Sequence, residues 1–207
     1  MAQKSSKSKL PEGKSKSEAA SKGNTHFRVD LRLEILLLLL REKCHIRGLA
    51  LVLNTNHMNI LRKAQELVKA NVLDFKQEGK NKSYFIKKSA EARLYSLMAE
   101  QYKLARILSN YPELRSIINI LQEDKRIKLA VLFGSYAKGI AKEESDIDIY
   151  VETESIAIKK ELSAIDSRLG VKIGKFDQKN LLIREIIKNH ALIKGFEEFY
   201  KRTEVFE

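Results

Sequence analysis

Apolar and polar positions follow a helical period over the first part of the chain. The segments "VDLRLEILLLLLREK", "RGLALVLN" and "TNHMNILRKAQELVKAN" each predict a helix, and Asp30 is well placed to cap the first of them. The next segment, "VLDFKQEGKNKSYFIKK", predicts two strands joined by a tip at residues 79–82. The order helix, helix, turn, helix, hairpin predicts one small domain over residues 27–90.

Residues 91–122 are helical in pattern and predict a linker between two domains. One face of this helix is expected to carry Leu94, Leu97, Met98, Ala105 and Leu108, and Pro112 interrupts or starts a helix. A connecting helix that packs on its neighbours fits this pattern. A dimerising coiled coil would need a longer heptad repeat, although a homodimer formed through this helix remains an alternative.

Residues 123–207 alternate between strand and helix. Strands are predicted at "IKLAVLF", "DIDIYVE" and "GVKIGKF", and helices over residues 154–169, ended by Gly170, and over residues 178–190. In the longer helix, Ile158, Leu162, Ile165 and Leu169 would face one way. The pattern predicts a mixed sheet covered by helices, so the whole chain is expected to be of the α+β class.

The two halves of the chain differ more clearly in their net charge than in their hydrophobicity. The formal net charge is +12, and residues 1–110 hold 22 basic and 10 acidic side chains, against 17 of each in residues 111–207. This asymmetry predicts a polyanion partner for the N-terminal half. Residues 1–26 are rich in Lys and Ser, which predicts a disordered basic tail, either solvated or adding non-specific affinity for nucleic acid.

Two further features bear on where the protein would work. No segment approaches the roughly 18 apolar residues of a membrane span, and the N-terminus has no secretory signal pattern. Cys44 is the one cysteine, so an internal disulfide is excluded. These features predict a cytoplasmic protein without a membrane partner.

The stretch "VLFGSYAKGIAKEESDIDIYV" carries the candidate chemistry. Gly134 and Ser135 follow an apolar strand and would open a short helix, where backbone N–H groups and the Ser hydroxyl can bind phosphate. Strand alternation places Asp146 and Asp148 on the same face of the next strand. Two adjacent carboxylates repel unless a cation lies between them, so the pattern predicts a Mg²⁺ (or Mn²⁺) site beside a phosphate site.

The ordered set of strand, Gly-Ser turn, "YAKG", acidic loop and Asp-Ile-Asp-Ile resembles the nucleotidyltransferase superfamily of DNA polymerase beta and kanamycin nucleotidyltransferase, over residues 123–207. The resemblance implies transfer of a nucleoside monophosphate from an NTP, with ATP expected, to a hydroxyl acceptor, for which a protein is a plausible source. Gly134 and Ser135 would hold the triphosphate, and Asp146 and Asp148 would be the catalytic metal ligands. Lys138 would touch phosphate or be a plain surface lysine.

The chain departs from the family where a third acidic residue is expected. In "GVKIGKFDQ" the apolar phase of the strand is Val171 and Ile173, so the residues expected to face the site are Lys172, Gly174 and Phe176, none of them acidic. Asp177 lies just past the strand end. Two functions therefore remain open, namely an active nucleotidyltransferase and a transcription regulator whose degenerate transferase domain only binds nucleotide.

The segment from Ile46 to Phe85 resembles winged helix-turn-helix transcription regulators. The resemblance implies that the third helix enters the DNA major groove and the hairpin, or wing, touches the backbone. Base edges would be contacted by Asn56, His57 and Asn59, and phosphates by Arg62, Lys63, Lys80 and Lys82. The alternative is a winged helix that contacts protein.

Overall fold

The computed structural model describes residues 27–206, and the predicted tail of residues 1–26 lies outside them. The N-terminal part has the element order of a winged helix-turn-helix, with a three-stranded antiparallel sheet in the order β1-β3-β2. Its elements are α1 (Leu31–Leu39), β1 (Cys44–His45), α2 (Ile46–Val52), α3 (His57–Lys69), β2 (Leu73–Glu78) and β3 (Asn81–Ile86).

Side-chain caps fix where two of these helices begin. Asp30 Oδ1 accepts a hydrogen bond from the Arg32 N–H at 3.0 Å, and Asn56 Oδ1 accepts one from the Met58 N–H at 2.8 Å. The predicted cap at Asp30 is therefore confirmed. The helices enclose an apolar core. Its fully buried side chains include Ile35, Leu36, Leu49, Ile60 and Leu67.

The tip of the hairpin is shorter than predicted. Asn81 and Lys82 lie in β3, where they pair with Glu78 and Gln77 of β2, so the turn is confined to residues 79–80. Gly79 makes this turn possible because its φ of 60° is a left-handed conformation that glycine adopts without strain.

Helix α4 (Ala90–Asn110) follows the hairpin, and the predicted apolar face of this helix is wrong for three of its five residues, whereas Leu97 and Leu108 pack partly buried against the apolar clusters. Leu94 and Met98 are 62% and 53% exposed, and Ala105 is also exposed. The buried face instead carries small residues and polar groups, namely Ala92, Ser96, Ala99, Glu100, Lys103, Leu104 and Ile107. The spacing of large apolar residues did not predict this face for two reasons. Closely packed helices need small side chains at the contact, and the buried charged side chains are stabilised by polar partners.

The C-terminal part is built on a four-stranded sheet in the order β6-β5-β4-β7. The predicted mixed sheet is confirmed, but its fourth strand, β7, was not predicted from the sequence. Strands β5 and β6 are parallel, and the other neighbours are antiparallel. After a 3-10 helix at Pro112–Leu114, the elements are α5 (Arg115–Glu123), β4 (Ile127–Leu132), α6 (Gly134–Lys138), β5 (Ile147–Thr153), α7 (Ala157–Ser163), β6 (Leu169–Ile173), α8 (Leu181–Lys188), β7 (Ala191–Lys194) and α9 (Phe196–Arg202).

The predicted helix over residues 154–169 is wrong in its extent. Helix α7 is short, Ile165 is 42% exposed, and Leu169 and Gly170 belong to β6. The chain turns at Asp166, whose Oδ1 accepts a hydrogen bond from the Arg168 N–H at 2.9 Å. Aspartate stabilises such turns by bonding to the backbone two residues on.

Helix α4 packs on both parts of the chain through buried polar contacts. Tyr200 Oη donates to Glu100 Oε1 at 2.8 Å, His190 Nε2 lies 3.3 Å from the same oxygen, and the Lys103 ammonium donates to the His190 carbonyl. Toward the N-terminal part, Tyr102 Oη donates to Glu34 at 2.8 Å. The helix therefore belongs to both cores.

The division into residues 27–90, 91–122 and 123–207 stays a prediction.

Within residues 27–206 the structure contains no helix that is both long and apolar enough to cross a lipid bilayer.

Candidate active site

The Gly-Ser turn is fitted closely against the second carboxylate. Strand β4 ends at Leu132, the Phe133 N–H donates to the Asp148 carbonyl at 3.0 Å, and Gly134 takes a φ of +69°. A Cβ at Gly134 would lie 2.3 Å from Asp148 Oδ2, so the Asp148 carboxylate would have to move. Glycine is thus required at this position both for the turn and for the space occupied by the carboxylate. The turn opens α6, whose first-turn N–H groups lack intrahelical acceptors.

The two carboxylates lie at the start of β5. Asp146 immediately precedes the strand and is exposed, and Asp148 is half-buried. Burial raises the pKa of Asp148, and the negative charge of Asp146 raises it further, while the positive charge of Lys172 partly opposes both effects. A site that disfavours its own negative charge gains from a bound cation.

The donor set of these residues suits Mg²⁺ better than a metal that needs a closed protein cage. Among residues 27–206 no group of three or more His, Cys, Asp or Glu side chains is placed to hold a metal ion. Two carboxylates leave several ligand positions for water and phosphate oxygens, which is how Mg²⁺ is commonly bound next to a nucleotide. Asp146 and Asp148 would hold the ion, which would compensate charge on the phosphates.

The neighbouring strand brings a lysine, not a carboxylate, to the face of Asp148. In the parallel pairing of β5 with β6, Asp148 is opposite Gly170 and Tyr150 is opposite Lys172. Residues opposite one another in register share a face of the sheet, so Lys172 lies on the same face as Asp148. The predicted strand phase is consistent with this placement.

The other residues expected to face the site are engaged elsewhere. Gly174 lies past the end of β6, and its carbonyl accepts a hydrogen bond from Tyr150 Oη at 2.8 Å. The Phe176 ring packs edge-on against Tyr150 and Phe199. Asp177 Oδ1 accepts a hydrogen bond from the Lys179 N–H at 2.9 Å in the turn before α8. None of the three supplies a carboxylate on the face of Asp148 within β6.

Lys138 is the last residue of α6 and forms an ion pair with α8. Its Nζ lies 3.1 Å from Glu185 Oε1, and both side chains are substantially exposed. Exposed pairs of this kind are weak, so a phosphate could compete with Glu185 for this ammonium. The sequence pattern gave no indication of Glu185.

Arg168 is a second residue near the site that sequence reasoning missed. Its Nη1 donates to the Glu143 carbonyl at 3.0 Å, and its own carbonyl accepts from the Ile147 N–H at 2.9 Å. It therefore ties the acidic loop before Asp146 to the start of β6. The Asp-x-Arg spacing of residues 166–168 was the available signal, because it is typical of a side-chain-stabilised turn.

The winged-helix residues expected at DNA are found on the exposed side of α3 and on the wing. Exposed among them are Asn56, His57, Asn59, Arg62, Lys80 and Lys82. Lys63 is only half-exposed and binds Glu66 at 2.8 Å, and the Lys82 ammonium lies 3.9 Å from the centroid of the Phe75 ring. The Oδ1 of Asn56 is used by the helix cap, which leaves its amide nitrogen for a base contact.

Comparison with known proteins agrees with the geometry of the C-terminal part. Residues 115–198 match the family described as "Polymerase beta, Nucleotidyltransferase". Two relatives from Methanocaldococcus jannaschii are "Putative protein adenylyltransferase MJ1379", 36% identical over 91 residues, and "Putative protein adenylyltransferase MJ0128", 34% identical over 89 residues. Each alignment covers 41% of this chain and 85% of the relative.

Two solved structures are similar at a lower level. The adhesin competence repressor AdcR from Streptococcus pyogenes aligns with a TM-score of 0.37 and 15% identity, over 42% of this chain and 66% of that one. A toxin–antitoxin structure with AMP-PNP aligns with a TM-score of 0.31 and 23% identity, over 51% of this chain and 83% of that one. These scores are too low to support a conclusion about either part.

The family match covers the part of the chain that carries the Gly-Ser turn and both carboxylates. A nucleotidyltransferase domain accounts for a Gly-Ser turn placed directly against a pair of carboxylates. Through residues 115–198, the chain belongs to the polymerase beta nucleotidyltransferase family.

Proposed function

We propose that this protein transfers a nucleoside monophosphate from an NTP, with ATP as the expected donor, to a hydroxyl group of an acceptor protein. The observation that carries the proposal is the close approach of the Gly134 turn to Asp148, which would bring bound phosphate next to a metal ligand. The relatives named protein adenylyltransferases support ATP as the nucleotide and a protein as the acceptor.

Different residues of the chain would bind the triphosphate and the metal ion. The N–H groups of the turn and the Ser135 hydroxyl would bind the triphosphate, and Asp146 and Asp148 would bind Mg²⁺. When bound, the ion supplies compensation for charge that develops on the phosphates. The acceptor oxygen forms a bond to the α-phosphorus and loses its proton to solvent, the bond from that phosphorus to the oxygen bridging to the β-phosphate breaks, and pyrophosphate leaves.

The N-terminal part is proposed to bind DNA. Arg62 on α3 and Lys80 and Lys82 on the wing are exposed on neighbouring elements of a basic half of the chain. Phosphate contacts from such side chains provide sequence-independent affinity, while Asn59 and His57 could reach base edges. A gel-shift assay at several salt concentrations tests this claim, and the affinity for DNA should fall steeply as the salt concentration rises. If no shift occurs even at low salt, the winged helix would be assigned a role in binding protein.

A second candidate function is supported by the residues of β6. Gly170 and Lys172 lie on the face where a third carboxylate would help to deprotonate the acceptor. A site with two carboxylates and a lysine could bind nucleotide without efficient transfer. The protein would then be a DNA-binding regulator that responds to nucleotide.

Labelled ATP separates the two functions. The protein is incubated with Mg²⁺ and candidate acceptors in parallel reactions with α-³²P and γ-³²P ATP, beside the variant with both Asp146→Asn and Asp148→Asn. Transfer predicts acid-stable label on a protein band from the α-labelled nucleotide only, and none with the variant. Tight Mg²⁺-dependent ATP binding by calorimetry without any label transfer would favour the regulator.

A further inference from the structure

We propose that Lys172 binds the phosphates of the nucleotide and supplies, beside Asp148, the positive charge that a second divalent cation would otherwise provide. The site would then bind its nucleotide with a single metal ion. This inference rests on the proposed nucleotide site and specifies how that site is organised.

The register of the sheet places Lys172 where this role requires. Asp148 and Tyr150 share a face of β5, and Gly170 and Lys172 occupy the adjacent positions on the same face of β6. Gly170, opposite Asp148, has no side chain, and even a Cβ there would lie 3.4 Å from Asp148 Oδ1. The Asp148 carboxylate therefore lies close to Gly170, two residues before Lys172 on the same face of β6.

The ammonium group of Lys172 is available to a ligand, in contrast to the other cations nearby. Lys172 is exposed, and within residues 27–206 it forms no ion pair or side-chain hydrogen bond. Lys138 is engaged by Glu185, and Arg168 is engaged by Asp166 at 2.9 Å.

Charge balance explains why a cation is useful at this position. Asp146, Asp148 and a triphosphate together carry more negative charge than one divalent ion neutralises. In sites with two metal ions, additional carboxylates hold the second ion, but no further carboxylate of residues 27–206 joins this pair in a metal-binding group. A fixed ammonium needs no carboxylate ligands and can bind phosphate oxygens directly.

Calorimetry with separate ligands tests the proposal without depending on activity. Wild type, Lys172→Gln and the control Lys175→Gln are titrated with Mg²⁺ alone, with Mg²⁺–ATP and with Mg²⁺–tripolyphosphate. Lys175 is an exposed lysine just past the end of β6 and serves as the matched control. For Lys172→Gln we expect about tenfold weaker binding of both phosphate ligands, the usual effect of losing a hydrogen bond to a charged group.

For Mg²⁺ alone, the affinity of Lys172→Gln is not expected to fall as it does for the phosphate ligands. Removing a positive neighbour relieves repulsion of the metal ion, so Lys172→Gln should bind Mg²⁺ as tightly as wild type or more tightly. Lys172→Glu should bind Mg²⁺ more tightly still and nucleotide more weakly. A merely structural role for Lys172 would weaken both ligands together, whereas Lys175→Gln should change neither.

Two outcomes would overturn the proposal, and they are distinguishable. If wild type binds Mg²⁺–ATP and Lys172→Gln binds it equally well, or loses Mg²⁺ affinity in parallel, Lys172 has no phosphate role and the nucleotide site stands. If wild type binds neither ATP nor tripolyphosphate, the proposed nucleotide site itself is wrong.

Discussion

Gly134 and Asp148 are in such close contact that a single Cβ added to Gly134 would come within 2.3 Å of Asp148 Oδ2. The Phe133 N–H also donates to the Asp148 carbonyl at 3.0 Å, so the backbone of the turn and the backbone of β5 are joined at the same point. A substitution in the turn should therefore move the Asp148 carboxylate, and a substitution of Asp148 should alter the conformation of the turn.

Gly134→Ala should abolish nucleotide binding, and Gly139→Ala provides its control. Both glycines have positive φ, at +69° and +73°, so each alanine costs about 1–2 kcal/mol of backbone strain. A Cβ at Gly139 meets nothing within 4 Å, whereas one at Gly134 displaces the Asp148 carboxylate. We expect both variants to lose thermal stability, Gly134→Ala at least as much as Gly139→Ala, and only Gly134→Ala to lose Mg²⁺–ATP affinity by calorimetry. Equal affinity in the two variants would contradict the close contact.

Asp148→Asn should stabilise the protein while removing metal binding. The folded state raises the pKa of Asp148, through burial and then through Asp146, so its ionised form destabilises the fold as the pH rises through that pKa. We expect a higher Tm than wild type at neutral pH, with the difference shrinking as the pH falls toward the usual value of 3.8. The exposed Glu144→Gln is the control, and its Tm should stay at the wild-type value. A lower Tm for Asp148→Asn at neutral pH would show that the carboxylate stabilises the turn.

Lys103 should make the stability of the protein depend on pH in the alkaline range. Burial lowers the pKa of Lys103 from 10.5 to about 8, although Glu100 opposes this effect. The unfolded chain therefore binds more protons between these values, and the free energy of unfolding should rise with pH over this interval, by at most about 3 kcal/mol. Urea unfolding at a series of pH values measures the rise. Lys103→Met should remove it, and an identical slope in the two proteins would refute the assignment.

Arg62 and Lys63 should differ in their contribution to DNA binding although they are neighbours. Arg62 is exposed on α3, whereas Lys63 is held by Glu66 at 2.8 Å. Arg62→Gln should weaken binding to duplex DNA of any sequence and reduce the slope of log affinity against log salt by about 1. Lys63→Gln should change the slope less. Equal effects of the two substitutions would show that the ion pair with Glu66 opens when DNA binds.

Local signals carried the sequence predictions that succeeded. Asp30 caps α1 as expected, and the apolar phase of Val171 and Ile173 correctly separates the covered face of β6 from the face that carries Lys172. Each of these depends on the residue itself and its nearest neighbours, which the sequence displays directly. Gly134 at the start of α6 and Asp148 at the start of β5 likewise follow from local signals at element ends.

The predictions that failed depended on partners distant in the sequence. The buried face of α4 is decided by Tyr200 and His190, which lie about 90–100 residues from Glu100 and Lys103. The sequence also gave no sign of β7, a strand of four residues that is fixed by pairing with β4. Short strands of this kind carry little periodicity, so tertiary pairing determines them.

Helix α4 contributes side chains to the apolar clusters of both parts of the chain, with Ala92 and Ala99 in one and Leu104 and Ile107 in another. It also carries Glu100 and Lys103, whose partners belong to the C-terminal part. An evolutionary change on this helix must therefore be compatible with two cores at once. We expect related proteins that join other N-terminal parts to the same transferase domain to keep the half of this helix that carries Leu104 and Ile107 and to change the half that carries Ala92 and Ala99, because a junction at either end of the helix would leave part of its contacts mismatched.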